Sequence, residues 1–394
     1  MLGTFVLCVL IFSLPFFFKT SYSAILNKDS KGEIALANSE PVFVATHVET
    51  PNPVKAIYMT ACVAGTPSWR NSMKKMIEET ELNSVVIDIK DYSGTISIAD
   101  PTIQGNDVSG CKVKDMSDFV AELHKSNIYA IGRITVFQDP YYSKLHPELA
   151  VRKKSDGGVW KDHKGLSFID VGAKPYWDYI VNLSKKSYAL GFDELNFDYI
   201  RYPSDGNMAD TNYTWTPKQS STEDATGQAV YMTKAEVLKS FFVYLHDELK
   251  TVGVKTSADL FGMNTTATDD LGIGQVLENT LPYFDFVDPM VYPSHYPPTW
   301  NGFKNPADHP YEVVKLSMQG GIDKALALAS STPGMDANET VQKLRPWLQD
   351  FDLGATYGVA EVRAQIKATY DIGLNSWMVW DAGNTYTAGA FLPK

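Results

Sequence analysis

The sequence predicts a (β/α)8 TIM barrel, an α/β fold formed by one domain over residues 54–394. Two observations predict it. From residue 54 onward, eight short runs rich in Val, Ile, Phe and Tyr alternate with longer runs of helical periodicity. In addition, seven of the eight runs carry a charged residue near their last positions, which is the end where a TIM barrel holds its functional groups.

The elements follow from hydrophobic periodicity and from local start and stop signals. The predicted strands are Ala56–Val63, Ser84–Lys90, Tyr129–Phe137, Leu195–Tyr202, Lys255–Phe261, Phe284–Tyr292, Arg345–Phe351 and Ser376–Trp380. The predicted helices are Ser68–Glu81, Ser117–Ser126, Pro175–Ala189, Lys234–Thr251, Gly274–Leu281, Tyr311–Ala329 and Val359–Tyr370. Pro175 occupies a first helical turn, where proline is tolerated. Gly191, Gly253 and Gly373 follow predicted helix ends, where a left-handed residue is favoured.

An open, doubly wound sheet is the alternative architecture. That fold usually carries a glycine-rich phosphate loop after an early strand. The sequence has no GxGxxG, Walker, HExxH or GxSxG motif, and Gly-Ile-Gly at 272–274 is too short to indicate one. The closed barrel is therefore the preferred prediction.

The first 18 residues are uncharged and almost entirely apolar. We expect residues 1–23 to be a signal peptide or a membrane anchor, and residues 24–53 to be a polar linker. No basic residue precedes the apolar run and Lys19 follows it, a departure from the usual signal peptide that keeps a retained anchor as the alternative. Beyond the apolar run only Cys62 and Cys111 remain, and two buried free thiols are expected rather than a disulfide.

Composition narrows the possible partners. The net charge is −11 and the only compact basic run is 152–154, which argues against nucleic acid. An acidic chain is compatible with a carbohydrate polymer, and 12% aromatic residues could supply stacking surfaces for sugar rings. The seven histidines have no paired spacing, so no metal and no cofactor are expected, and a metal-dependent deacetylase is disfavoured.

The polar strand ends supply the candidate site residues. They are Asp88 and Lys90; Arg133; Asn196, Asp198 and Arg201; Asp259; Asp288, Tyr292 and His295; Trp347 and Gln349; and Trp380 and Asp381, in chain order over strands two to eight. The two-residue period of strand four places Asn196 and Asp198 on one face and Arg201 on the other. Because Arg201 lies where the chain turns, we expect its guanidinium beside Asp198, which would favour the ionised carboxylate.

Paired carboxyl groups indicate glycoside hydrolysis, which needs one protonated acid and one ionised nucleophile or base. Asp198 and Asp259, on neighbouring strands, are the predicted pair, and Asp288 is the reserve acid. Asp88 and Asp381 are further reserves. The rings expected to stack on sugars are Tyr292, Trp347, Trp377 and Trp380, and His295 is expected to bind substrate hydroxyls.

Five segments resemble a family of TIM-barrel glycoside hydrolases long described as a domain of unknown function. They are TELNSVVIDIKD (80–91), GFDELNFDYIRYPSDG (191–206), SADLFG (257–262), DPMVYPSHYPP (288–298) and RPWLQDF (345–351). The resemblance covers about residues 54 to 386. It implies a barrel fold, glycosidase activity and a location in exported or membrane-anchored bacterial proteins.

Strand four is also similar, more loosely, to the DGxDxDxE pattern of family 18 chitinases. Asp193, Asn196 and Asp198 match three of its four positions, and Ile200 stands where the chitinase has its acid glutamate. The chitinase mechanism is therefore not carried over, and the acid must come from another strand. Two hypotheses remain: an extracytoplasmic glycoside hydrolase, or a non-catalytic, cell-envelope barrel that binds carbohydrate.

Overall fold

The computed structural model describes residues 26–28, 34–36, 44–104, 110–223 and 227–394. The chain divides into two compact units, Met1–Val44 and Ala45–Lys394. In the first unit, Leu26–Lys28 pairs with Ile34–Leu36 as an antiparallel hairpin. The apolar segment 1–18 lies outside the described residues. Within the described ranges, no helix is both long and apolar enough to cross a membrane.

Eight parallel strands close into a barrel in the second unit, which confirms the predicted TIM-barrel fold. The strands are β1 Lys55–Met59, β2 Ser84–Lys90, β3 Tyr129–Thr135, β4 Glu194–Asp198, β5 Lys255–Phe261, β6 Phe286–Met290, β7 Trp347–Gln349 and β8 Trp377–Trp380. Each strand pairs with its neighbours in sequence, and β8 pairs with β1 to close the ring. The carboxyl ends of all eight strands therefore meet at one mouth.

Helices surround this barrel on its outer face. They are α1 Ala61–Ala64, α2 Pro67–Glu79, α3 Met116–Lys125, α4 Pro140–Leu145, α5 Lys174–Ala189, α6 Lys234–Leu249, α7 Leu277–Thr280, α8 Pro310–Ser331, α9 Ala337–Gln342 and α10 Val359–Asp371. The helix α6 begins at a capping box in which Thr233 and Glu236 exchange hydrogen bonds, which fixes its start. The helix α7 begins later than predicted, because Gly272 and Gly274 adopt positive φ angles in a turn.

The strand β4 is shorter than the predicted Leu195–Tyr202. Tyr199 adopts a φ of +51°, which is left-handed and ends the extended backbone directly after Asp198. Period-two alternation therefore stops at this residue. Tyr199 and Arg201 turn towards the barrel mouth instead of continuing along a strand face.

Two separate cores stabilise the barrel. The larger core lies between the sheet and the helices and contains fully buried residues such as Phe119, Phe241 and Ile366. The smaller core fills part of the barrel interior with side chains of β1, β2, β3, β7 and β8, including Ile131 and Met378. Because side chains alternate along a strand, the interior faces of β4 to β6 are left mainly to polar groups.

Residues 45–53 are part of the second unit, whereas the sequence assigns them to a linker ending before Val54. The backbone N–H of Val48 donates to Asp193 over 2.9 Å. Asp193 also accepts from the backbone N–H of Ala130 and from the His124 ring. Asp193 therefore joins this segment to the amino end of the barrel, opposite the mouth.

The prediction of two free thiols is wrong, because Cys62 and Cys111 form a disulfide. Cys62 lies in α1 after β1, and Cys111 lies in the connection after β2. Since β1 and β2 are neighbours, these two connections lie side by side and the two Cα atoms are 4.8 Å apart. Cys62 is exposed and Cys111 is half-buried, so the bridge lies at the surface.

Candidate active site

A cavity of about 340 Å³ opens at the mouth of the barrel. Eight of the residues predicted from the sequence line it: Arg133, Asp198, Arg201, Asp259, Tyr292, His295, Trp347 and Trp380. They come from six different strands or the loops that follow them. The barrel therefore brings together side chains that are far apart in sequence.

Asp198 is the last residue of β4, and its partners among the described residues are all N–H donors. The Arg133 guanidinium donates to Oδ2 from Nη2 over 2.5 Å and from Nε over 3.1 Å. The backbone N–H of Tyr199 donates to Oδ1 over 2.6 Å. Charge-assisted donors of this kind suit a carboxylate anion. The partner is Arg133 of β3, not Arg201 as expected from strand four alone.

Arg133 also bonds a second carboxylate, since its Nη1 lies 2.7 Å from Asp88 Oδ1. The hydroxyl of Tyr58 donates to the other oxygen of Asp88 over 2.5 Å. We call Asp88, Arg133 and Asp198 the cavity cluster. Asp88 does not line the cavity itself, so its place in the cluster is to hold Arg133 against Asp198.

Asp259 lies in β5 and has the opposite electrostatic surroundings. Its Oδ1 accepts hydrogen bonds from Trp347 Nε1 over 2.7 Å and from Asn196 Nδ2 over 2.9 Å. Burial raises the pKa of Asp259 well above its usual range, and the negative charges of Asp198 and Asp288 raise it further. No cation lies within 4.0 Å of Asp259 in the described part of the chain. This site favours the protonated acid.

Aromatic rings form the walls around these carboxyl groups. Trp380 stacks on Tyr58 with ring centroids 3.9 Å apart, and Trp347 meets Trp380 edge-on. Tyr292 packs edge-on against His295 at 5.3 Å. Burial lowers the pKa of His295, which favours the neutral imidazole. The cavity thus combines flat apolar surfaces with a few polar groups, as carbohydrate sites do.

A second arginine lies deeper in the barrel with two carboxylates of its own. Arg345 Nη2 is 2.5 Å from Glu194 and 2.9 Å from Asp288, and its Nε is 3.0 Å from Asp288. All three side chains are fully buried. We call them the sealed cluster. Asn196 bridges this cluster to Asp259, since its Nδ2 also lies 3.1 Å from Asp288.

Asp288, the predicted reserve acid, therefore lies beneath the cavity and does not line it. Burial raises its pKa to about 6, although the Arg345 charge acts in the opposite direction. Its two oxygens are occupied by Arg345 and Asn196. This carboxyl group is placed to stabilise the barrel interior and has no direct path to a ligand in the cavity.

Lys90 is likewise remote from the cavity. Its ammonium pairs with Asp139 over 2.9 Å and donates to the Thr135 carbonyl over 2.7 Å, and the side chain is fully buried. This pair joins β2 to the connection after β3. The charged residue at the end of β2 therefore forms a buried ion pair and does not belong to the cavity.

Gln349 and Asp381 also lie near the mouth without lining the cavity. Gln349 accepts from the backbone N–H of Ser294 and donates to the Phe351 carbonyl. Asp381 accepts from backbone N–H groups, including that of Thr385, in the turn after β8. Both side chains fix loops of the rim.

The sequence does not single out several lining residues, which lie at the last position of a strand or beyond it. They are Tyr199, Phe261, Gly262, Met263, Met290 and Tyr296. The available signal at Tyr199 was the nearby Pro203, which favours an early end to the strand. Trp377, predicted to stack on sugars, instead packs against Phe391 in the outer core.

Ile200 occupies the position of the chitinase acid, and it is fully buried in the outer core. No carboxyl group can therefore reach the cavity from this position. In the described ranges, no group of three His, Cys, Asp or Glu side chains is arranged to hold a metal ion.

A TIM barrel with two unlike carboxyl groups between aromatic walls has the parts of a carbohydrate-cleaving enzyme. The chain belongs to the family described as "Putative glycosyl hydrolase domain", whose model matches residues 56–386. Family and fold together assign the chain to the glycosidases. No curated protein sequence matches it.

Solved structures show the same fold at low sequence identity. The PgaB (BpsB) glycoside hydrolase domain from Bordetella bronchiseptica is 12% identical with a TM-score of 0.58, covering 86% of this chain and 98% of that one. The α-L-fucosidase isoenzyme 2 from Paenibacillus thiaminolyticus is 11% identical with a TM-score of 0.55, covering 86% of this chain and 46% of that one. These similarities concern the fold, since identities this low carry no substrate information.

Proposed function

We propose that this protein is a glycoside hydrolase that cleaves an extracytoplasmic polysaccharide with Asp259 as the general acid and Asp198 as the nucleophile or general base. One observation carries the proposal. Both carboxyl groups line the same cavity, but Asp198 faces a guanidinium whereas Asp259 is buried among groups that raise its pKa. Two carboxyl groups with opposed surroundings are what acid and base roles require.

The chemistry follows from these two positions. Asp259 gives its proton to the glycosidic oxygen as the bond from that oxygen to the anomeric carbon breaks. Asp198 either attacks the anomeric carbon or removes a proton from the water that attacks it. Arg133 holds Asp198 in place in both cases, and the anomeric configuration of the product distinguishes them.

Several cavity residues would bind the sugar rather than react with it. Trp380 and Trp347 offer ring faces or edges, and the neutral His295 imidazole can exchange hydrogen bonds with hydroxyl groups. A cavity of about 340 Å³ is large enough for about one or two sugar rings. The remaining rings of a polymer would extend over the rim.

Two features support a location outside the cytoplasm. The Cys62–Cys111 disulfide lies at the surface, and such bonds persist mainly in oxidising compartments. The apolar run 1–18 has the composition of an export signal or an anchor. Cell fractionation with thiol labelling tests this: we expect the protein in the envelope or medium fraction with both cysteines unreactive.

The activity is tested on a panel of bacterial cell-wall polysaccharides and exopolysaccharides, with hydrolysis and binding measured in parallel. We expect the wild type to cleave at least one polymer. Asp198→Asn and Asp259→Asn should still bind it but should lose about 10²–10⁴-fold in rate. Asp350→Asn is the matched control, because Asp350 is a buried carboxyl at the end of β7 that does not line the cavity.

One result would favour a non-catalytic barrel instead. If the wild type and both variants bind a polymer equally and none cleaves it, the protein is a carbohydrate-binding barrel. The observation behind that alternative is the apolar Ile200 at the position of the chitinase acid.

A further inference from the structure

Four arginines are buried in the described part of the chain, and one differs from the rest. Arg70 pairs with Asp115 over 2.6 Å, and Arg133 and Arg345 each bridge two carboxylates. Arg201 has no carboxylate within 4.0 Å among the described residues. A buried guanidinium without a counter-charge is unfavourable, so its lack of a carboxylate partner calls for a physical explanation.

The protein partners of Arg201 are neutral. Its Nη1 donates to the Tyr202 carbonyl over 3.0 Å and to Ser204 Oγ over 3.3 Å. The guanidinium lies over the rings of Tyr199 and Phe261, with 4.9 and 4.8 Å to the centroids. Burial lowers its pKa, and only 9% of the residue is exposed. In the described structure, its Nε and Nη2 make no hydrogen bond to protein.

Arg201 lies where the cavity of the active site meets a second cavity of about 390 Å³. Tyr199 and Arg201 line both cavities. The other residues lining the second cavity are Tyr92, Gln138, Asp162, Lys164, Leu166, Phe168, Ser204 and Asp205. The long connections after β3 and β4 supply most of them. Together the two cavities form a groove along the mouth with Arg201 at the junction.

The nearby carboxylates do not serve as its partners. Asp162 Oδ1 accepts from the backbone N–H groups of Lys164 and Leu166, and Asp205 faces His163 at 3.7 Å. Asp198 is held by Arg133. Each of these charges therefore has a separate role, and the free donors of Arg201 remain available to a ligand in the groove.

We propose that the substrate is an acidic polysaccharide and that a sugar carboxylate binds Arg201 at the junction of the two cavities. This inference rests on the proposed function and specifies its substrate class. A bound carboxylate supplies the counter-charge that the protein lacks at this position, and its two oxygens match the fork of guanidinium donors. The net charge of −11 repels a polyanion at long range. Recognition must therefore come from a local cation.

The test uses polygalacturonate, alginate and hyaluronan, each paired with the same polymer after chemical reduction of its carboxyl groups to neutral alcohols. Binding is measured with Asp198→Asn, so that turnover does not consume the ligand. We expect at least one acidic polymer to bind about 10-fold or more tightly than its reduced form. Adding Arg201→Gln should abolish this difference, so that the acidic polymer binds no more tightly than its reduced form.

The inference is overturned if every acidic polymer binds no better than its reduced form, or if the difference persists in Arg201→Gln. The hydrolase proposal can fail separately. If the wild type cleaves only neutral polymers, the hydrolase proposal stands and the proposed acidic substrate is wrong. If the protein prefers acidic polymers through Arg201 but cleaves none of them, the acidic ligand stands and the hydrolase proposal is wrong.

Thermal unfolding of Arg201→Met and Arg201→Lys shows whether Arg201 instead has a structural role. Because Arg201 lacks an ionic partner, we expect the melting temperature of Arg201→Met to be unchanged or higher. A decrease as large as that of Arg345→Met would assign Arg201 to the framework and overturn the inference. Arg201→Lys should keep the charge but only part of the preference for the acidic polymer.

Discussion

The cavity cluster and the sealed cluster place nearly the same group of side chains at two depths of one barrel. In each, a guanidinium bridges two carboxylates from strands that lie on either side of a third strand. The difference is access. The side chains of the sealed cluster are fully buried, whereas Arg133 and Asp198 line the cavity and keep 5% and 8% exposure. Ionic pairing inside a barrel therefore does not mark an active site by itself; contact with the cavity does.

The two clusters also differ in how completely their oxygens are occupied. In the sealed cluster, Glu194 accepts from Arg345, from Ser257 over 2.6 Å and from Tyr129 over 3.2 Å. Such saturation offsets part of the cost of burying the charges. Asp198 in the cavity cluster remains open to a ligand, so its electrostatic stabilisation is available to a reaction.

The largest effects are expected when the arginine of either cluster, Arg345 or Arg133, is replaced. Arg345→Met leaves two sealed carboxylates unpaired and should lower the free energy of unfolding by about 3–5 kcal/mol. Arg133→Met should cost less stability, because the cavity admits water to Asp198, but should reduce kcat/KM by about 10²-fold or more. Urea unfolding and steady-state kinetics measure both quantities.

A triple variant controls for lost packing at Arg345. Arg345→Met combined with Glu194→Gln and Asp288→Asn leaves no charge in the sealed cluster, and we expect it to recover most of the lost stability. Equal losses of stability in the two single arginine variants would contradict the distinction between the clusters.

The next effect concerns pH and separates Asp198 from Asp259. Asp259 must be protonated to act, and its pKa lies well above the usual range, so kcat/KM should fall as pH rises through that value. Asp198→Asn removes a negative charge that raises the pKa of Asp259. The basic limb of the residual activity should therefore move to lower pH.

The raised pKa of Asp259 also makes the free energy of unfolding depend on pH. The folded chain holds the Asp259 proton more tightly than the unfolded chain does. This contribution to stability is therefore present below the ordinary pKa of Asp and is lost as pH rises through the folded pKa.

Asp350→Asn is the control for the pH dependence of activity, and it should leave the basic limb of kcat/KM in place. An unchanged limb in Asp198→Asn would argue against Asp259 as the acid.

Much of the fold could be predicted from the sequence, since β2 and β5 have the predicted bounds and the helices follow their periodicity. Local pattern decides such elements because burial of one face is visible in the residue order. The end of β4 is less well defined, because Pro203 favours an early end to the strand but does not fix its last residue. The left-handed turn at Tyr199 depends on packing at the mouth, which no local pattern records.

The sequence predicts which strands carry the carboxyl groups of the site, but it does not predict the residues with which these groups pair. Asp198 and Asp259 lie at the mouth as expected, because parallel strands end together. The pairing of Asp198 with Arg133 depends on how β3 and β4 align, and the burial of Asp288 depends on Arg345 from a distant part of the chain. Long-range register of this kind is set by the closed barrel.

The smallest expected effect comes from two tyrosines, one bonded to each cluster. Tyr58 donates to Asp88 in the cavity cluster, and Tyr129 donates to Glu194 in the sealed cluster. Replacing either with Phe removes one hydrogen bond and should cost about 1–2 kcal/mol of stability. Only Tyr58→Phe should also lower kcat/KM, by several-fold, because Asp88 then holds Arg133 less firmly against Asp198.

Chemical denaturation and initial rates on the same two preparations decide this comparison. A kcat/KM decrease in Tyr129→Phe as large as that in Tyr58→Phe would mean that the sealed cluster also tunes the reaction, through Asn196 and Asp259. An unchanged kcat/KM in Tyr129→Phe would mean instead that only the side chains that support Arg133 affect the rate of the reaction. The function of each buried charge then depends on its depth below the cavity, since the chemistry of the two clusters is the same.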